Sequence, residues 1–183
     1  MEFVSLVDAS ESIQSRIREL RNQENVRKFM YTDHEISTEE HANWIASLRG
    51  NKRQQVFAVV RDGIAAGLVS LSAINEQQKH AEWAFYIDEA MQGAGIGSII
   101  EFKLLDYAFN EAGLEKLNCE VLATNQPVIR LHEKFGFVRE GVRRKNVVKN
   151  GERIDVVLLG ILKDEWIVAR EKIKPVIERA QRK

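Results

Sequence analysis

Hydrophobic and polar positions alternate along the chain with two periods, one typical of strands and one typical of helices. Runs with a period of two predict strands, and apolar residues spaced three and four positions apart predict helices. Together they predict the order β-α-α-β-β-β-α-β-α-β-β, followed by a helical tail. The predicted strands are Phe3–Val7, Gln55–Arg61, Ala65–Ile74, Ala81–Ile87 and Leu117–Ala123, then two final strands joined at Asn150-Gly151.

Local signals mark where the predicted helices begin and end. The segment Ser37-Thr38-Glu39-Glu40 is a capping box that opens a helix reaching Arg49. Asn125 is the predicted cap of a later helix that ends before Gly136. The pattern also predicts helices at Glu11–Arg21, at Gly95–Ala112 and from Asp164 onward. We expect Pro175 to kink or divide the last of these.

Composition favours one cytoplasmic enzyme domain over residues 1–183, with a helical tail at 164–183. The chain has 27 basic and 27 acidic residues, so no net field draws it to nucleic acid or a membrane. Its apolar runs have the length of strands, and no signal segment precedes them. Cys119 is the single cysteine, so no internal disulfide can form. The four histidines lack metal-ligand spacing, and we expect no metal.

The most informative motif is the loop Gln92-Gly93-Ala94-Gly95-Ile96-Gly97, which follows a predicted strand and opens a helix. Glycines let the backbone approach an anion closely, and a helix N-terminus offers N–H groups to a pyrophosphate. A Walker A loop would need a Lys that is missing here, and a Rossmann loop has a different glycine order. Read without its context, the loop could also be a solvated turn.

The spacing of Gln92, Gly95 and Gly97 resembles the Gln/Arg-x-x-Gly-x-Gly/Ala motif of the GCN5-related N-acetyltransferases. The segment from Asn125 to Phe137 is similar to a second motif of that family, and the resemblance extends from about Gln55 to Leu162. It implies an α/β (α+β) fold with a mixed, mostly antiparallel central sheet flanked by helices. It also implies acetyl-CoA as co-substrate, contacted by Phe85, Tyr86, Ile87, Gln92, Gly93, Ala94, Gly95, Ile96, Gly97, Ser98, Asn125 and Lys134.

Three residues are candidates for acid–base catalysis. Where the family commonly has a tyrosine that protonates the leaving thiolate, this chain has His132, which is either a replacement acid or a helix-surface residue. Glu120 interrupts a strand that we expect to be buried on both faces, so it is a candidate base. Glu82 is the alternative, because many family members carry a base at that place on the strand before the loop.

The N-terminal part contains the pattern Arg21-Asn22-x-Glu24-Asn25-Val26-Arg27-x-x-Met30-Tyr31, followed by Ile36-Ser37-x-x-Glu40-His41-x-x-Trp44. This pattern resembles the sugar-nucleotide N-acetyltransferases of pseudaminic acid biosynthesis. These acetylate the 4-amino group of a UDP-linked amino-dideoxy sugar, so we expect a UDP-amino sugar as acceptor. Arginines suit a diphosphate, and aromatic side chains suit a deoxysugar or uracil. By this resemblance the acceptor residues are Arg21, Asn22, Arg27, Met30, Tyr31, His41, Trp44 and Ser72. The competing interpretation is a helix pair with a plain core and solvated arginines.

Two other functions fit the same motifs. A ribosomal-protein or peptide N-terminal acetyltransferase would share the loop and the catalytic core. An acyl-CoA-binding sensor would keep the loop without turnover, and the missing tyrosine favours that alternative. The sequence leaves the oligomeric state open, including a homodimer.

Overall fold

The computed structural model describes residues 1–92 and 95–181. Its strands are β1 (Glu2–Ser5), β2 (Gln55–Arg61), β3 (Ile64–Asn75), β4 (His80–Ile87), β5 (Lys116–Leu122), β6 (Val138–Lys149) and β7 (Glu152–Leu162). Its helices are α1 (Glu11–Asn22), α2 (Glu24–Arg27), α3 (Thr38–Leu48), α4 (Ile96–Asp106), α5 (Gln126–Lys134) and α6 (Lys163–Gln181). A 3₁₀ turn covers Glu89–Met91, and a π-helical turn extends α4 over Tyr107–Glu111.

The strands form a seven-stranded sheet in the order β1-β2-β3-β4-β5-β7-β6. The β1–β2, β2–β3, β5–β7 and β6–β7 pairs are antiparallel, whereas β4 and β5 are parallel over three residue pairs. The predicted mixed, mostly antiparallel sheet flanked by helices is therefore confirmed. The described chain divides into two compact units, residues 1–74 with 83–92 and residues 75–82 with 95–181. The single-domain organisation stays a prediction.

In the first unit, α1 and α3 cover strands β2 and β3. Ile17 and Leu20 of α1 and Ile45 of α3 share a buried cluster with Val56 and Ala58 of β2. Both helices begin where the sequence signals placed them, because the hydroxyls of Ser10 and Ser37 accept backbone N–H groups of the first helical turn. The short helix α2 was not predicted, since one turn is too short to show a period.

In the second unit, α6 packs along α4. Trp166 is buried, with its ring edge-on to Phe102 at 5.3 Å between centroids and stacked on Phe135 at 6.2 Å. Helix α6 runs unbroken through Pro175, so the predicted division of this helix is wrong. The buried residues Ile173 and Ile177 lie on either side of the proline, and their packing holds the helix together there.

Strand β5 differs from its predicted burial on both faces. Leu117, Cys119 and Val121 are buried, whereas Asn118 and Glu120 between them are half-buried. This is the alternation of a strand with one covered face. Among the described residues, no helix is long and apolar enough to cross a membrane.

Candidate active site

The N-terminus of α4 presents the second half of the glycine loop. Gly95 is the N-cap residue and has a left-handed backbone with φ of +76°, a conformation that favours glycine. Ile96, Gly97 and Ser98 form the first turn, whose N–H groups have no acceptor within the helix. These donors and the helix dipole suit a pyrophosphate. Gly93 and Ala94, two of the predicted cofactor contacts, lie outside the described residues.

In the first unit, a buried carboxylate fixes the 3₁₀ turn that precedes Gln92. Asp88 accepts hydrogen bonds from Arg16 Nη2 at 2.6 Å and from Gln23 Nε2 at 3.1 Å. It also accepts from the backbone N–H of Ala90 at 3.1 Å. Burial opposes ionisation of Asp88, but the hydrogen bonds from Gln23, Ala90 and Arg16 outweigh it and lower its pKa. Asp88 was missed in the sequence because it has the appearance of an ordinary turn residue.

Strand β4 carries the predicted cofactor contacts Phe85, Tyr86 and Ile87. The hydroxyl of Tyr86 donates to the carbonyl of Ile17 at 3.2 Å, and burial raises its pKa. The side chain of Tyr86 therefore belongs to the core of the first unit. A role for this segment in cofactor binding would have to use its backbone, as in the pairing that the resemblance implies.

Asn125 precedes α5, and its side chain does not cap the helix as predicted. Asn125 occupies the N-cap position, yet among the described residues its side chain makes no capping hydrogen bond. Its backbone φ of −90° and ψ of 58° depart from the extended geometry seen at Ser10 and Ser37. The predicted capping role is therefore wrong, and the amide of Asn125 is not committed to the helix. Contact with acetyl-CoA stays a prediction for this residue.

His132 on α5 forms a buried pair with Glu101 on α4. The side chains are 3% and 0% exposed, and Nδ1 of His132 lies 2.9 Å from Oε1 of Glu101. The ring of His132 also lies 5.2 Å from that of Phe137, between centroids. Complete burial raises the pKa of Glu101, and its attraction to His132 opposes that rise. The alternative that His132 is a helix-surface residue is wrong.

Glu101 was missed at the sequence level although a signal was present. It stands three, four and seven residues before Leu104, Leu105 and Ala108, all of which are buried. A carboxylate on the apolar face of a helix is costly unless it is paired or functional. Helix α4 thus carries cofactor-loop residues at its start and the partner of His132 along its length.

The two candidate bases differ in their surroundings. Glu120 on β5 forms an ion pair with Arg143 on β6, and its side chain is 20% exposed. Glu82 on β4 is exposed and stands opposite Asn118 in the parallel pairing with β5. Lys134, a predicted cofactor contact, is exposed and lines an open pocket with Asp164 and Val168 of α6.

Arg21 at the end of α1 stands out among the predicted acceptor residues. Its Nη2 donates to the hydroxyl and carbonyl of Thr32, at 3.0 and 3.3 Å. Its Nη1 is buried and has no hydrogen-bond partner in the described part of the chain. Burial lowers the pKa of Arg21, while Tyr86 opposes that shift and the charge of Arg27 adds to it. Arg21 therefore lies close to a predicted cofactor contact, Tyr86.

The other predicted acceptor residues have mixed surroundings. Arg27 forms an ion pair with Glu35 at 3.1 Å. Asn22 holds the backbone of Ile36 with two hydrogen bonds, which ties the segment after α2 to α1. Tyr31 is exposed, and Met30 and Ser72 are half-buried.

His41 and Trp44 lie on α3. His41 is buried, and its Nε2 donates to the carbonyl of Gln14 at 2.9 Å. Desolvation lowers its pKa, although the bond to Gln14 opposes that shift. Trp44 packs against the core of the first unit. Both contacts are structural, so acceptor binding by this pair stays a prediction.

Comparison with known proteins decides the family. The model of the "Acetyltransferase (GNAT) domain" matches residues 10–158. The chain belongs to the GNAT acetyltransferase family. This membership agrees with the acetyl-CoA-dependent N-acetyltransferase that the sequence motifs predicted, and it does not test the sensor alternative.

Curated relatives of this chain include acetyltransferases that are named for different acceptors. It is 31% identical over 105 residues, 57% of each chain, to the putative ribosomal N-acetyltransferase YdaF of Bacillus subtilis. It is 26% identical over 152 residues to the spermidine N(1)-acetyltransferase of Vibrio cholerae, covering 82% of this chain and 88% of that one. The chain thus spans little more than half the length of the first of these relatives.

Solved structures agree with the fold. The spermidine N-acetyltransferase of Vibrio cholerae, in complex with CoA and spermine, superposes with a TM-score of 0.83 at 24% identity. The match covers 91% of this chain and 97% of that one. At this level of identity the likeness supports the fold alone.

Proposed function

We propose that this GNAT enzyme transfers the acetyl group of acetyl-CoA directly to a primary amine of a small molecule that also carries an anionic group. A UDP-linked amino-dideoxy sugar, acetylated at its 4-amino group, is the acceptor that fits this description. The observation that carries the proposal is the buried, unpartnered Nη1 of Arg21.

The surroundings of Arg21 favour an anion over a cation. A desolvated guanidinium is costly unless its N–H groups meet acceptors. Arg27 adds a second positive charge nearby, which the carboxylates of Asp33 and Glu40 offset in part. A diphosphate would accept from Nη1 and relieve the cost of its desolvation.

The proposed transfer needs no covalent enzyme intermediate. The amine nitrogen attacks the thioester carbonyl carbon, the C–S bond breaks, and the sulfur leaves with the electron pair. Glu82 is the proposed base, acting through water, because Glu120 is already engaged by Arg143. His132 is the proposed acid that protonates the leaving thiolate, in place of the family's usual tyrosine.

A polyamine is the second candidate acceptor. The support is twofold: spermidine acetyltransferases are among the relatives, and segment 33–40 contains four carboxylates. These are Asp33, Glu35, Glu39 and Glu40, and all four are exposed. However, Arg27 pairs with both Asp33 and Glu35, and His34 with Glu40, so three of these four carboxylates have partners within the chain.

Thiol release from acetyl-CoA against an acceptor panel tests the proposal. The panel holds the UDP-linked 4-amino sugar, the same nucleotide sugar without the amine, spermidine and an N-terminal ribosomal peptide. We expect saturable turnover with the first compound and competitive inhibition by the second. Turnover with spermidine alone would replace the proposal with the polyamine candidate, and turnover with the peptide alone would move the activity to protein termini.

A further inference from the structure

Glu101 is the one carboxylate of α4 that points into the core of the second unit without a structural explanation. Asp106, on the same helix, accepts from Trp166 Nε1 at 3.0 Å and from Arg170 Nε at 2.7 Å, so it ties α6 to α4. Oε1 of Glu101 contacts His132, and its Oε2 is buried with no hydrogen-bond partner in the described residues.

Stability does not account for this arrangement. In either protonation state the contact adds little net stability: a buried ion pair loses about as much free energy by desolvation as it gains by attraction, and a neutral hydrogen bond contributes only about 0.5–1.5 kcal/mol. An unsatisfied buried oxygen adds a further cost of about 1–3 kcal/mol. Buried, costly titratable groups of this kind are concentrated at functional sites.

We propose that Glu101 is a positioning residue that holds the imidazole of His132 by Nδ1 and supplies the proton that lets His132 act as an acid without becoming cationic. This inference rests on the proposed acid role of His132. Its geometric basis is the 2.9 Å contact between two almost fully buried side chains on neighbouring helices.

The proton balance of the step is simple. Before transfer, the carboxyl of Glu101 donates its proton to Nδ1, and the neutral imidazole carries its own proton on Nε2. As the C–S bond breaks, the Nε2 proton passes to the sulfur, and the Glu101 proton moves to Nδ1. The products are a protonated thiol, a neutral imidazole with its proton on Nδ1 and an ionised Glu101, which solvent protons then restore.

The relay from Glu101 answers the main argument against His132 as the acid, which is that few imidazoles are protonated at neutral pH. An imidazole with an ordinary pKa of about 6.5 is mostly uncharged at neutral pH, so an imidazolium acid would be scarce. A neutral imidazole that is re-protonated by a carboxylic acid needs no imidazolium. The raised pKa of Glu101 favours the protonated carboxyl that this relay requires.

A double-mutant cycle tests the inference. The variants are Glu101→Gln, Glu101→Leu, His132→Phe and the double variant Glu101→Leu with His132→Phe. Each is measured for kcat with the acceptor found in the panel and for the Kd of CoA by calorimetry. Asp106→Asn is the matched control, since it removes an ion-paired carboxylate of the same helix that does not touch His132.

We expect kcat to fall at least 10-fold in both Glu101 variants and 100-fold or more in His132→Phe, with CoA affinity unchanged. The double variant should lose no more than His132→Phe alone, because Glu101 acts through the imidazole. If the losses in kcat of the two single variants multiply in the double variant, the role of Glu101 is overturned. It is also overturned if kcat is unchanged in both Glu101 variants but low in His132→Phe. Normal kcat in His132→Phe would instead remove the acid role itself. Glu101→Gln keeps the shape of the side chain, so it can test the role of Glu101 even if Glu101→Leu does not fold.

Discussion

The guanidinium of Arg16 on α1 lies 2.6 Å from the carboxylate of Asp88, which is 72 residues further along the chain. This contact, with Gln23, fixes the turn after β4 to the helices that begin the first unit. Asp88→Ala should reduce the free energy of unfolding by about 1–2 kcal/mol, since it leaves the N–H donors of Arg16, Gln23 and Ala90 without this acceptor.

Urea denaturation measures that change directly. Glu19→Ala is the control, because Glu19 is the other carboxylate bound by Arg16 and half of its side chain is exposed. We expect the control to stay within about 0.5 kcal/mol of the parent chain. Equal midpoints for Asp88→Ala and Glu19→Ala would show that the buried contact does not stabilise the unit.

The contribution of Asp88 should also depend on pH. Its folded-state pKa is depressed, so the stabilisation is present above its ordinary pKa of about 3.9. It is lost as the pH falls through the lower folded value. The difference in unfolding free energy between the parent chain and Asp88→Asn should therefore be constant from pH 7 to 5 and shrink below pH 4. A difference that grows on acidification would contradict this assignment.

Arg21 should determine affinity for an anionic acceptor. Arg21→Gln removes the charge, so the KM for the UDP-linked amino sugar should rise about 10-fold to 100-fold, the worth of one charge-assisted hydrogen bond. The KM for acetyl-CoA should stay the same. Arg18→Gln is the control, because Arg18 lies on the same helix and donates to the backbone carbonyl of Ile36 at 3.2 Å. A lower KM for spermidine in Arg21→Gln would favour the polyamine candidate instead.

Gly95 provides a direct test of the cofactor loop. Gly95→Trp should weaken CoA binding at least 100-fold, because its bulk would occupy space that the pyrophosphate needs. Gly113→Trp is a close control: Gly113 has a φ of +68° against +76° for Gly95, and a side chain there would enter open space. Both variants therefore place a tryptophan on a left-handed backbone, and only Gly95→Trp places it in the cofactor loop. Equal CoA affinities by calorimetry would remove the loop from the cofactor site.

Gly67 on β3 allows no side chain. A Cβ at this position would lie 2.3 Å from the backbone oxygen of Tyr86, so Gly67→Ala must displace one of the two segments. We expect a loss of about 1–3 kcal/mol in unfolding free energy. Gly141→Ala is the control, since its Cβ would be 3.8 Å from Leu158, an ordinary contact. The prediction fails if thermal unfolding of the two variants shows the same midpoint.

Sequence patterns predicted the fold well where they report local physics. The helix start at Ser37 was readable because its hydroxyl accepts the backbone N–H of Glu40 and two carboxylates in the first turn complement the helix dipole. The unbroken course of α6 through Pro175 was not readable, because packing of Ile173 and Ile177 overrides the local cost of the proline. Local rules describe what a segment prefers, and tertiary contacts decide what it adopts.

The same distinction between local signals and tertiary contacts applies to the residues of the candidate site. Gly95 and His132 could be singled out as candidates because motif spacing is a property of the chain. Asp88 was missed because its side-chain partners lie 65 and 72 residues away. Glu101 had a local signal in its place on an apolar helix face, but its partner lies 31 residues away. The ion pair of Glu120 with Arg143 was equally hidden, since it depends on the strand order of the folded sheet.

Helix α6 begins at Lys163, beyond residue 158 where the family match ends. A fragment trimmed to the family boundaries would lose Trp166, which covers Phe102 and Phe135. Those two aromatic side chains would then face water beside an unpaired Asp106, a surface that promotes aggregation. We therefore expect soluble expression to need a C-terminal boundary well past the family match, after Ile177 at the earliest.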